Sequence, residues 1–195
     1  MNLPNKLTVL RMLCTPVLVV LFCLKLYIPS MILFVLASLT DVLDGHIARK
    51  NNIVTDFGKL FDPLADKLIN VTALVLITAQ VMVDMPKWYA ILVLVSTLVI
   101  VAREMLILGF RAFAASEGIV IAADILGKIK TVVQDIAIVL LLIDLSPILN
   151  GTFAAAIIHA AAIVITVGAL GLTIASGINY FVANKKLTEK ISKDV

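Results

Sequence analysis

Six long apolar runs constrain this sequence more than any other feature. They lie near Leu7–Tyr27, Ser30–Arg49, Gly58–Val83, Trp88–Ala115, Ile125–Leu145 and Thr152–Asn184. An α-helix needs about 20 apolar residues to cross a bilayer, and each run is of that order. None alternates with period two, which argues against a β-barrel. Turn and breaker residues separate them: Pro29-Ser30, Asn51-Asn52, Asp84-Met85-Pro86, Glu117-Gly118, and Ser146-Pro147 with Asn150-Gly151. Of the 195 residues, 62% are hydrophobic and 15% charged. Soluble domains carry about 25% charged residues, so a soluble globular domain is excluded. The expected fold class is an all-α integral membrane protein with six transmembrane helices. Residues 1–184 would form one domain and residues 185–195 a short basic tail.

The basic residues are sorted by side. With a cytoplasmic N-terminus, the inner side holds Lys6, Arg11, Arg49, Lys50, Lys59, the cations between Arg111 and Lys130, and the lysines of the tail. The outer side holds only Lys25 and Lys87. Positive charge accumulates on the cytoplasmic side of membrane proteins, so both termini are expected inside. No small-residue cleavage pattern follows the first run. Cys14 and Cys23 show no metal-ligand spacing and read as small apolar fillers. Trp88 and Tyr89 fit an outer aromatic belt.

The acidic residues are sorted too. Asp41 and Asp44, spaced i, i+3, share a face near the inner end of the second helix. Asp62 and Asp66, spaced i, i+4, share a face near the start of the third, with Pro63 placing that start close by. The link between the helices is short, which predicts antiparallel neighbours and four converging carboxylates. Unpaired carboxylates at a membrane edge are costly. A hard divalent cation, Mg²⁺ or Mn²⁺, is their natural partner, and four aspartates suit two ions. Such pairs clamp a phosphoryl group during in-line displacement. Gly45, Ala48 and Gly58 would let a bulky ligand approach the backbones, while Arg49 and Lys59 would contact phosphate. Asp66 lies deepest and suits a base as well as a ligand. The rival reading is a carboxylate-lined cation pathway in a transporter.

The stretch from Asp41 to Asp66 reads D-x2-D-G-x2-A-R-x8-G-x3-D-x3-D. It resembles the signature of the CDP-alcohol phosphotransferases at every position. Outside it, Asn2–Arg11, Phe61–Lys67, Arg103-Glu104 and Ile121–Thr131 resemble the bacterial members whose acceptor is sn-glycerol 3-phosphate. The resemblance implies six membrane helices, a homodimer in the bacterial cell membrane, and an active site facing the cytoplasm. It implies transfer of the phosphatidyl group from CDP-diacylglycerol to sn-glycerol 3-phosphate, releasing CMP. By motif position, Asp41, Asp44, Asp62 and Asp66 would be metal ligands, with Asp66 also the base. Gly45, Ala48, Arg49 and Thr55 would line the CDP site, with Asn5 and Thr8 nearby.

An acceptor that carries phosphate needs a second cationic pocket. Arg111, Lys128 and Lys130 sit at the inner ends of the fourth and fifth runs and are the candidates. Lys128 and Lys130 are two residues apart, so one helix would not point both the same way. Arg103 is expected to pair with Glu104, and His159 to hydrogen-bond a neighbouring helix. His46 reads as a packed or solvated side chain. Asp135 and Asp144 read as helix-packing or interface groups, with no further role assigned. The remaining alternative within the family is a member with another acceptor: inositol phosphate, serine or a second phospholipid.

Overall fold

The computed structural model describes residues 3–51, 56–116 and 125–185, and the side chains of residues 8–40, 64–65, 67–116 and 125–185. Six long helices account for almost all of the described residues. They are α1 (Leu3–Cys23), α2 (Tyr27–Asn51), α3 (Asp56–Asp84), α4 (Lys87–Ser116), α5 (Ile125–Asp144) and α6 (Phe153–Ala183), with one 3-10 turn at Pro147–Leu149. Among the described residues, three stretches are long and apolar enough to cross a membrane: Lys67–Asp84, Lys87–Ser116 and Phe153–Ala183. Shorter apolar stretches occupy Thr8–Cys23 and Tyr27–Thr40. α5 carries Lys128, Lys130, Asp135 and Asp144 within 20 residues, which dilutes its apolar character.

The helices close a ring in the order α1, α2, α5, α6, α4, α3, with a further contact between α3 and α5 across its middle. Leu18, Phe34, Ile69, Ile77, Val93, Ile138 and Leu141 fill that middle, contributed by five helices. α6 adds the small Ala162 and Ala169. The outward faces remain apolar, as lipid requires: Leu10, Leu13, Val17 and Val20 form an exposed stripe along α1 at helical spacing. The expected pairing of α2 with α3 falls mainly on residues 41–66, whose side chains lie largely outside the described residues. Among the described residues the two touch only marginally, with α1 on one side and α5 on the other.

Polar contacts between helices occur at successive levels and fix their registers. At one end, Lys67 on α3, Glu104 on α4 and Lys130 on α5 meet. One turn further, Asn70 of α3 and Ser38 of α2 both reach Asp135 of α5. Midway, the hydroxyls of Thr78 and Thr97 lie 2.8 Å apart. At the far end, the Tyr89 hydroxyl donates to Asp144 at 3.0 Å, and the His159 Nδ1 lies 3.0 Å from the same carboxylate. His159 therefore bonds across helices as expected. Tyr89 does not join an interfacial belt: it is fully buried by its bond to Asp144, while Trp88 is exposed. Cys14 is half-buried, but Cys23 is exposed and not a buried filler. An apolar medium tolerates a thiol as readily as a core does. Pro63 also differs from expectation, because α3 begins at Asp56 and carries it about two turns inside.

The α1–α2 turn closes with Lys25 in the left-handed region, at φ 58°. Its N–H bonds the Phe22 carbonyl at 2.8 Å and the Leu26 N–H bonds that of Leu21 at 3.0 Å. This is a Schellman motif with a side chain where glycine is usual. Lys25→Gly removes the Cβ clash, which outweighs the added freedom of the unfolded chain by about 0.5 kcal/mol. A small rise in melting temperature in detergent is the expected result.

Candidate active site

The two aspartate pairs sit on helices that run from one end of the bundle. Asp41 and Asp44 lie in the last turns of α2, and Asp62 and Asp66 in the first turns of α3. The i, i+3 and i, i+4 offsets place each pair on one side of its helix. Their side chains lie outside the described residues, as do those of Asn5, Gly45, Ala48, Arg49 and Gly58 and the whole of Thr55. Thr8 is described: it is buried on α1, three residues before the equally buried Arg11. Among the described residues, no group of three or more His, Cys, Asp or Glu could hold a metal ion.

What the described residues show beside the aspartates is a buried ionic knot. Glu104 is 5% exposed, and its Oε1 accepts from Arg103 at 3.0 Å and from Lys130. Its Oε2 lies 3.0 Å from the Nζ of Lys67, the residue after Asp66. Arg103 continues to the Ser176 hydroxyl on α6 at 3.2 Å. One carboxylate thus joins α3, α4 and α5, and its neighbour extends the link to α6. The expected Arg103–Glu104 pair is present, but Lys67 and Lys130 joined to it were not legible, because their registers depend on the ring. A lone cation at such depth would be costly, and Glu104 supplies one counter-charge that Lys67, Arg103 and Lys130 share.

The acceptor candidates separate. Arg111 and Lys128 are exposed, toward the C-terminal end of α4 and in the first turn of α5. Lys130 is turned inward, 1% exposed, onto Glu104. Two residues on a helix differ by about 200° in direction, so the divergence of Lys128 and Lys130 follows from geometry. Beyond Glu104, α4 and α6 pack through Ile107, Phe110, Ala114 and Tyr180. Phe110 meets Tyr180 and Phe181 edge-on, at 5.8 and 5.4 Å between centroids. These rings hold the C-terminal parts of the two longest helices together.

Removing the charge of Glu104 leaves buried cations facing a neutral amide. Glu104→Gln is expected to cost about 3–5 kcal/mol, the usual penalty for breaking a buried ion pair on one side. Thermal denaturation in detergent measures it; an unchanged melting temperature would contradict the neutralising role.

Comparison with known proteins places the chain in a family. A family model described as CDP-alcohol phosphatidyltransferase matches residues 1–168. A CDP-diacylglycerol–glycerol-3-phosphate 3-phosphatidyltransferase of Rickettsia felis is 37% identical over 191 residues, covering 95% of this chain and 96% of the relative. One of the same name from Bacillus subtilis is 39% identical over 162 residues, covering 75% and 79%. A probable phosphatidylglycerophosphate synthase of Mycobacterium tuberculosis is 32% identical over 189 residues, covering 92% and 79%. The resemblance carried by the aspartate signature thus extends over most of the sequence, and the chain belongs to the CDP-alcohol phosphatidyltransferase family.

Proposed function

We propose that this chain transfers the phosphatidyl group of CDP-diacylglycerol to sn-glycerol 3-phosphate, giving phosphatidylglycerophosphate and CMP on the route to phosphatidylglycerol and cardiolipin. The observation that carries the reading is an unbroken aspartate signature in a chain whose near full-length relatives are named for this reaction. The six helices would all span a bacterial cell membrane, with both termini and the aspartate end facing the cytoplasm. Residues 1–184 would work as one catalytic domain, and the basic tail at 185–195 would rest on anionic lipid. A homodimer is the expected assembly.

The donor set fits a hard divalent cation, Mg²⁺ or Mn²⁺: four carboxylates at two helix ends, without thiolate or imidazole. Asp41, Asp44, Asp62 and Asp66 would hold it, with two ions suiting four aspartates. When bound, the metal neutralises charge that builds on the diphosphate. Asp66 takes the proton of the acceptor hydroxyl as its oxygen attacks the phosphorus that carries diacylglycerol. A new phosphate ester bond forms, the bond to CMP breaks, and Asp66 passes its proton to water. Gly45, Ala48 and Gly58 leave room for the donor, and Asn5, Thr8, Arg49 and Thr55 line its cytidine and diphosphate. Arg111 and Lys128 hold the acceptor phosphate. Lys130 enters that pocket only as far as Glu104 releases it, so it supports the pocket's charge from behind.

CMP release from CDP-diacylglycerol is the test. It should require Mg²⁺ or Mn²⁺, stop with chelator, resume on metal addition, and run faster with sn-glycerol 3-phosphate than with inositol phosphate, serine or a phospholipid. Turnover with another alcohol alone would reassign the acceptor; metal-driven ion flux in liposomes without CMP release would make the chain a transporter. Asp66→Asn should lower turnover by about 10²–10⁴-fold, the usual worth of a general base. Its helical content should stay unchanged by circular dichroism. Appreciable remaining activity would remove Asp66 from that role.

A further inference from the structure

Asp135 lies outside the signature, on α5 in the bundle. Its Oδ1 accepts from the Asn70 amide at 3.0 Å, and its Oδ2 accepts from the Ser38 hydroxyl at 3.4 Å. Asn70 is on α3, four residues after Asp66, and Ser38 is on α2, three residues before Asp41. Those offsets put Asn70 on the helix side that carries Asp62 and Asp66, and Ser38 on the side that carries Asp41. One carboxylate therefore grips both aspartate-bearing helices, each about one turn from its pair.

The grip matters because of the ring. Among the described residues, α2 and α3 barely touch, and α5 is one of the two helices that stand between them. Packing alone would be served by an apolar residue at position 135, at no cost in charge. What a carboxylate adds is two strong acceptors at a fixed separation, one for each helix. Among the described residues, Glu104 performs no such bridge, because its partners lie on α3, α4 and α5.

We propose that Asp135 is a positioning residue: it clamps α2 to α3 one turn from the two aspartate pairs and sets the separation at which those pairs meet a divalent cation. The metal half of this statement rests on the function proposed above; the clamp itself does not.

Two readouts on the full chain in detergent test the halves separately. For the clamp, nitroxides are placed at Leu39→Cys and Leu68→Cys, both exposed positions on α2 and α3, with Cys14 and Cys23 replaced by serine. Distance measurement by electron paramagnetic resonance should give a narrow distribution that broadens or shifts in Asp135→Ala. It should largely return in Asp135→Asn, whose amide still accepts from Asn70. An unchanged distribution in Asp135→Ala overturns the clamp. For the metal, binding of Mn²⁺ alone should weaken about tenfold in Asp135→Ala, as for other groups that hold metal ligands in place. Asp135→Asn should lose less. Unchanged Mn²⁺ affinity beside altered distances overturns the role in the metal site. Absence of Mn²⁺ binding in the unsubstituted chain overturns the metal reading and leaves the distances to decide the clamp. Should Asp135→Ala fail to fold, Ser38→Ala and Asn70→Ala each cut one arm; no effect of either on both readouts overturns the proposal.

Discussion

The rest of this structure depends on the poor solvation of charge inside a helix bundle. Each ionised group there must find its counter-charge or hydrogen-bond partners within the protein. Glu104 meets that demand for Arg103, Lys130 and Lys67 at once. The condition is strict enough to set register: sliding α3 by one residue would turn Lys67 away by about 100°. Asp135 and Asp144 impose similar conditions at two other levels. Apolar packing supplies most of the contact area, but aliphatic side chains accept neighbouring registers at modest cost. The polar contacts do not.

Much of this could be read from residues alone. The six helices were visible as apolar runs, with boundaries off by a few residues where polar caps extend them. α3 shows why: it begins at Asp56, two residues before the run drawn from Gly58, because a polar residue can open a helix without belonging to its apolar stretch. The aspartate pairs were legible because their spacing is a property of one helix. The partners of Glu104 were not, since they come from helices far apart in sequence. The stripe Asp62, Asp66, Asn70 is an exception that went unread. Its i, i+4, i+8 spacing marks a polar face continuing inward, and Asp135 is what that face meets. Tyr89 misled for the opposite reason, as an aromatic residue at a span end suits either an interface or a buried bond.

Around the aspartate segment of α3, the described residues show a support that the motif does not include. Lys67 and Asn70 follow Asp66 at one and four residues, and both are engaged by carboxylates from other helices. Asp66 thus begins a segment of α3 that is held on two sides. Arg111 and Lys128, by contrast, are exposed and have no comparable tie among the described residues. In the function proposed above, this contrast would suit a donor bound beside the supported segment of α3 and an acceptor that arrives from water.

The placement of the ionic knot also acts as a ruler. On α3 no charged residue occurs between Lys67 and Asp84, and on α4 none between Lys87 and Arg103. At 1.5 Å per residue these stretches measure about 25 Å, close to the hydrocarbon thickness of about 30 Å. In the membrane placement proposed above, Lys67, Arg103 and Glu104 would mark the plane where acyl chains end and headgroups begin. Asp66 would stand at that plane, and Asp62 about 6 Å beyond it along the helix axis. A lipid diphosphate lies at the same height in its own leaflet. The proposed donor would then reach the aspartates by lateral diffusion, and catalysis would become a collision in two dimensions with only the acceptor arriving through the third.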